Sequence, residues 1–381
     1  MKDNIFWCKN CLNMSTRPRI EFDKKGNCNA CQWMQKKESM DWKIRQKELR
    51  ILLSKHRSNN GEFDCICPVS GGKDGSYVAH QLKHKYNMKP LTITITPPLS
   101  LAIGDENLKN FIHSGYDHIQ VNVNPKTMQQ IDKAGFIEKG FPYFGWISAM
   151  QAAVVNMATR LNIPLIFYGE DGEIEYGGST QNINQAGYSV QHMKDVFLEG
   201  SYSDIISNTS LSKSDLNFWE FPSDKKISEI GTHICHWSYF EAWDPYRNYL
   251  TAKEHCGLKE SEAANSGTFT NFSQNDQALF ALHTYLMYLK FGFGRATQDA
   301  GIEIRRGAMD RNQAKNLVQV YDNQYPEQFI ALYLEYYQIS QEEFDAVIDK
   351  HTNKKLFKKE NGRWQPIFSI DENICIAELQ N

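Results

Sequence analysis

The sequence has no apolar run near the roughly 18 residues that a membrane-spanning helix needs. Its opening stretch, MKDNIFWCKNC, has no apolar signal core, so the expectation is a cytoplasmic protein with no membrane association. It also lacks an excess of charge of either sign. Lys and Arg number 42 against 45 Asp and Glu, and this balance speaks against a general nucleic-acid binder, leaving only a local basic groove open. There is no internal repeat and no low-complexity segment. Nine cysteines, an odd number in a chain of this size, do not make a disulfide framework. What is present is ordinary for a globular protein, and 381 residues suffice for a sizeable core with a small accessory module.

From residue 61 onward the pattern alternates. Phe63–Val69, Leu91–Thr96, His118–Val123 and Ile163–Tyr168 read as strands, and the segments 76–86, 105–115 and 148–160 between them read as helices. Strands alternating with helices imply a doubly wound, mostly parallel α/β sheet covered on both faces. Residues 172–270 are rich in Gly, Ser, Asn and aromatics and read as long loops with short elements. Residues 275–351 read as helical, with breaks at Gly292–Gly294 and Gly301–Gly307, and Lys355–Ile370 reads as a hairpin around Asn361-Gly362. Upstream, 34–57 reads as one helix, Trp42, Leu49, Leu52 and Leu53 recurring near helical spacing.

Two motifs carry chemistry. The first is Cys8-x-x-Cys11 with Cys28-x-x-Cys31. Each pair sets two thiolates on one knuckle, and two knuckles complete a tetrahedral four-cysteine zinc site. With all four positions filled by protein, the metal is structural, and it supplies the folding energy that residues 1–33 cannot get from a core of their own. An iron–sulfur centre or a chance pairing are the alternatives. The second motif is Ser70-Gly71-Gly72-Lys73-Asp74-Gly75-Ser76, between a strand and a helix. Glycines there let the backbone approach a ligand, and exposed N–H groups with the helix dipole attract anionic oxygens. It is neither a G-x-x-x-x-G-K-[ST] loop nor a G-x-G-x-x-G turn.

This second motif resembles the S-G-G-x-D-S signature of the PP-loop ATP pyrophosphatases, with Gly75 inserted between Asp74 and Ser76. Taken with the four-cysteine ribbon, GEDGEIEYGG at 169–178 and FGFGRATQDAGIEIRRGAMDR at 291–311, the chain resembles the N-acetyl sugar amidotransferases from Cys8 to about residue 325. That family includes the pseudaminic acid amidotransferase and lipopolysaccharide enzymes that make acetamidino sugars. The resemblance implies ATP and Mg2+ as cofactors beside structural Zn2+, and a nucleotide-sugar substrate. It implies that an acetamido oxygen is adenylated with release of pyrophosphate, and that ammonia then displaces AMP to leave an acetamidino group. A built-in glutaminase of the N-terminal nucleophile type needs Cys at position 2, and here it is Lys2. The resemblance therefore implies a separate glutaminase subunit as ammonia source, with free ammonia as the alternative. The divisions expected are a ribbon at 1–33, a helical connector at 34–60, a PP-loop ATP-binding α/β domain with long substrate loops at 61–270, and a mainly helical region at 271–381.

Ser70, Gly71, Gly72, Asp74, Gly75 and Ser76 are the expected ATP contacts. Lys73 either neutralises phosphate or points to solvent. Lys73, Asp74, Glu170 and Asp171 form the expected catalytic group, the last two following a strand end where they would bind Mg2+, orient the sugar or accept a proton; a helix N-cap is the alternative for them. Glu173, Tyr176, Gly177, Arg295 and Arg305 are expected at the substrate, with Arg306 and Arg311 in the same basic cluster and a solvated helix face as the alternative. His233 and His236 read as loop histidines. Two other classes of function remain open: a tRNA-thiolation enzyme, which needs reactive cysteines beside the nucleotide, and a non-catalytic nucleotide-binding protein.

Overall fold

The computed structural model describes residues 4–375; Lys2 and the end of the C-terminal region, 376–381, lie outside them. Five strands, β1 (Cys65–Pro68), β2 (Pro90–Ile95), β3 (His118–Val121), β4 (Leu165–Tyr168) and β5 (His233–His236), form one all-parallel sheet in the order β3-β2-β1-β4-β5. Strand residues alternate faces. Ile66, Ile166 and Ile234 enter one core with α5 (Pro125–Lys139) and α6 (Phe144–Arg160). Cys65, Cys67, Leu165, Phe167 and Cys235 enter another with α2 (Trp42–His56) and α3 (Lys73–His80). Both faces are therefore covered, which is why the strands carry few polar residues.

Two elements differ from the sequence reading of 172–270. His233 and His236 lie on β5, not in a loop, and Pro245–Cys256 forms a three-turn helix, α8, that packs along α3. Asp244 caps α8 by accepting from the N–H groups of Tyr246 and Arg247, and Pro245 takes the first turn, where its missing N–H costs nothing. The single helix expected over 34–57 is two, α1 (Asn29–Ser39) and α2, because Met40 is extended and Asp41 caps the second.

The C-terminal helices are α9 (Leu279–Phe291), α10 (Arg295–Arg305), α11 (Arg311–Tyr321), α12 (Ile330–Tyr337) and α13 (Gln341–His351). They share the α5/α6 core: Tyr337 stacks on Phe136 at 4.8 Å between ring centroids, and its hydroxyl donates to Pro142 O at 2.6 Å. Gly292 ends α9 at φ +83°, but Gly301 lies inside α10 and breaks nothing. The hairpin Phe357–Glu360 with Arg363–Pro366 turns through Asn361 and Gly362 at φ +49° and +78°. Asn4–Ile5 pairs antiparallel with Ile374–Cys375, bringing the two ends of the described chain together. Among the described residues, no helix is long and apolar enough to cross a membrane.

Candidate functional site

In a sheet of this order the chain leaves β1 and β4 in opposite directions, so a crevice opens at their carboxyl ends. The Gly-rich turn leaves β1 here. Gly71 has φ +83°, and a Cβ on it would stand 2.3 Å from Leu108 N in α4 (Ala102–His113). The turn lies flush on the backbone of that helix, which only glycine permits. Gly75 is equally confined, since its Cβ would meet Pro68 O at 2.7 Å, so α3 starts hard against β1. Gly72 is the N-cap of α3 and supplies no side-chain cap to its first turn. Ser76 is fully buried, and its Oγ has no hydrogen-bond partner. An uncapped first turn beside an orphaned hydroxyl suits an anionic oxygen.

The loop after β4 closes on this turn. A Cβ on Gly169 would lie 3.4 Å from Asp74 Cβ and 3.2 Å from the Trp243 ring. Asp74 accepts from Asn248 Nδ2 at 3.1 Å and pairs with Lys73, whose side chain is buried rather than in solvent. Glu170 accepts from Tyr176 OH at 2.9 Å. Burial raises the Glu170 carboxyl above its ordinary range, the Asp74 charge raises it further, and Lys73 opposes both. Lys73, Asp74, Glu170 and Tyr176 thus form one group. Asp171 serves the backbone instead. Its Oδ1 accepts from Glu173 N at 3.0 Å and Ile174 N at 3.5 Å, capping the short helix α7 (Gly172–Tyr176). Burial pushes Asp171 up to about 7, and His236 Nδ1 stands 3.6 Å away.

The four ribbon cysteines are buried, and their sulfur atoms lie within 4.8 Å of one another. Cys8 and Cys31 Sγ are 3.7 Å apart, and Cys11 and Cys28 Sγ 3.6 Å. Tetrahedral zinc with Zn–S near 2.3 Å sets sulfurs about 3.8 Å apart, so the cluster fits the metal. N–H groups of Asn10, Asn13 and Cys28 point at these sulfurs, as they do at thiolates.

The cysteine-bearing N-terminal segment docks on α7, and this engages residues expected at the substrate. Glu173 takes both Arg19 Nε and Nη2 at 2.7 Å, with Ser179 N on the same carboxylate. Glu175 accepts from Trp33 Nε1 at 2.8 Å and Lys37 Nζ at 2.7 Å. Asn13 and Asn29 donate to the carbonyls of Tyr176 and Gly178, and a Cβ on Gly177 would lie 2.9 Å from Asn13 Nδ2. Glu173 and Gly177 therefore hold the N-terminal segment.

The arginines disperse. Arg295 pairs with Asp299 at 2.8 Å, Arg305 donates to Glu175 O, Arg306 pairs with Glu303, and Arg311 binds Cys11 O and Asp371. Arg305 and Arg306 line a cavity of about 330 Å³ with Lys37, Tyr176, Trp243 and Arg247. Tyr176, Pro245 and Ile302 line both it and a smaller cleft that also holds Lys73, Tyr246, Phe272 and Arg295. Sequence reasoning missed Asn248, which holds Asp74, and Asp276, whose half-buried carboxyl faces Ser70. Both are remote in sequence from the turn they serve, and only the Asp244-Pro245 helix start hints at the first.

Residues 266–370, which span α9–α13 and the hairpin, match the family described as LPS biosynthesis protein WbpG-like, C-terminal domain. No curated protein matches the chain. The family match supports a place in lipopolysaccharide biosynthesis and fits a sugar-modifying enzyme.

Proposed function

We propose that the protein is an AMP-forming, ATP-dependent amidotransferase that converts an acetamido group of a nucleotide-linked sugar to an acetamidino group. The observation that carries this reading is the meeting, at the β1/β4 crevice, of an uncapped Gly-rich turn with the Asp74 and Glu170 carboxylates. First-turn amides of α3 and the Ser76 hydroxyl hold phosphate oxygens, and Lys73 offsets their charge. Asp74 and Glu170 supply the hard oxygen donors that Mg2+ takes, and the ion would neutralise charge on the departing pyrophosphate. Arg305 and Arg306 suit the phosphates of a nucleotide carrier.

An amide carbonyl is a poor electrophile, and its oxygen is a poor leaving group. Attack of that oxygen on the α-phosphorus forms an O–P bond and breaks the bond to pyrophosphate. Ammonia then adds to the imidate carbon, the C–O bond breaks, and AMP departs with the original amide oxygen. The protein positions and stabilises; no covalent nucleophile is needed. A partner glutaminase supplies the ammonia. Cys65 and Cys67 do not serve a thiolation reaction on this reading: both are wholly buried in β1 and burial pushes their thiols up.

The test is a sugar labelled with 18O in its acetamido group, incubated with ATP, Mg2+ and ammonium chloride. Recovery of the label in AMP, with a sugar about three daltons lighter than the labelled substrate, is the expected result. ADP and phosphate as products, or unlabelled AMP, would overturn it.

A further inference from the structure

Another cavity, of about 300 Å³, has an uncharged polar lining: Asn265, Ser266, Gln274, Gln277, Gln324 and Gln328. Among the described residues, no Asp, Glu, Lys, Arg or His contributes to it. Gln277 is 1% exposed, yet neither its Oε1 nor its Nε2 has a partner. Gln274 Oε1, also in the lining, is likewise buried and unpartnered. Unmade hydrogen bonds of this kind each cost about 1–3 kcal/mol, so several together in one place call for a ligand. Gln274 also holds φ +57°, a left-handed conformation that a residue with a side chain adopts rarely.

We propose that this cavity is a carbohydrate subsite that receives the uncharged ring and acetamido arm of the sugar, an assignment resting on the amidotransferase reading above for the sugar's identity. A phosphate, carboxylate or ammonium ion would be buried there without a counter-charge. Hydroxyl and amide groups, which donate and accept at once, match Gln277, whose carboxamide has both functions free, and the Gln274 oxygen beside it; Asn265, Gln324 and Gln328 are already held by Ser273 O, Gly267 N and Ser266 Oγ and complete a fixed polar wall. The volume, at the low end for ligand pockets, admits one sugar-sized group. The subsite is also tied to the nucleotide turn. Gln277 bridges Ser100 after β2, while its neighbour Asp276 turns its carboxyl to Ser70. One short extended segment thus touches the sugar with one residue and the phosphate turn with the next.

The experiment uses the full-length, zinc-loaded protein and N-acetylglucosamine as probe, read by saturation-transfer NMR on the acetamido methyl, with acetate and inorganic phosphate as charged controls. Wild type, Gln277→Leu and the less buried Gln274→Ala are compared, with ATP affinity measured in parallel. The expected result is binding of N-acetylglucosamine alone, weakened about tenfold in either folded variant, with ATP affinity unchanged. Equal sugar binding by both folded variants, or a wild-type cavity that takes water only, would overturn the subsite. If amidine forms and its kcat/KM is the same in the variants, the subsite fails while the reaction stands. If sugar binding falls in the variants but wild type makes no amidine, the subsite stands and the reaction fails.

Discussion

Replacing Ser76 by Ala separates a phosphate-binding hydroxyl from a merely buried one, because the two roles predict opposite signs. Ser76 is 0% exposed on the first turns of α3 and its Oγ is unpartnered. Without nucleotide, that hydroxyl costs about 1–3 kcal/mol, and Ala is the better helix former by roughly 0.5 kcal/mol. Lost packing around the missing oxygen returns about 0.5 kcal/mol. The variant should therefore be more stable than wild type by about 1–3 kcal/mol in urea, and it should melt higher by a few degrees. With ATP the sign reverses. A hydrogen bond to an anionic oxygen is worth about 1.5–3 kcal/mol, so ATP affinity by calorimetry should fall roughly 10–100-fold, and the nucleotide-induced rise in melting temperature should shrink with it. A variant that is less stable without nucleotide and binds ATP as well as wild type would refute the reasoning.

Other substitutions test other parts. Glu175→Gln should destabilise by about 3 kcal/mol in urea, since it strands Lys37, whose side chain is 8% exposed, whereas Glu175→Leu with Lys37→Met should cost only about 1–2 kcal/mol, from leaving Trp33 Nε1 without its acceptor. Metal analysis should return about one zinc per chain, and Cys28→Ser should lose it and open residues 4–39 to protease. Burial holds the His118 imidazole down to about 4, below its unfolded value near 6.5. Between those values the unfolded chain binds the proton and the folded one does not, so this group makes stability fall as pH drops. His118→Gln should flatten the urea midpoint's dependence on pH in that window by up to one proton, and an unchanged slope would count against the assignment.

What could be read in advance was what is local. Strands β1 to β4 declare themselves as apolar runs between turn residues, the paired-cysteine spacing needs only two short knuckles, and Asn361-Gly362 turns a hairpin wherever it meets extended flanks. Strand β5 was hidden because it is four residues long and begins and ends on histidine; only Ile234 and Cys235 mark the two faces of the sheet. The arginines of 295–311 looked like one clamp because they are close in sequence, but they fall on different sides of α10 and on α11, where each meets its own partner. Gly301 shows the same limit. It looked like a break, yet it is the place on α10 where the Arg305 guanidinium lies against the helix, 3.0 Å from where a Cβ would be.

The cysteine-bearing N-terminal segment gains a purpose from where it docks. α7 is only five residues long, too short to hold itself in water, and it follows directly on Glu170 and Asp171. Asp171 caps its start, the Tyr176 hydroxyl returns to Glu170, and Asn13, Asn29, Arg19, Trp33 and Lys37 hold its remaining carboxylates and carbonyls. Asn13 bonds both the Cys28 sulfur and the Tyr176 carbonyl, so one side chain joins the cysteine cluster to the residue that orients Glu170. A preorganised carboxylate needs a rigid support, and a helix of this length cannot provide one alone. A module of some thirty residues whose four clustered cysteines could hold a metal can, because such a metal would fix its geometry without a core it is too small to build.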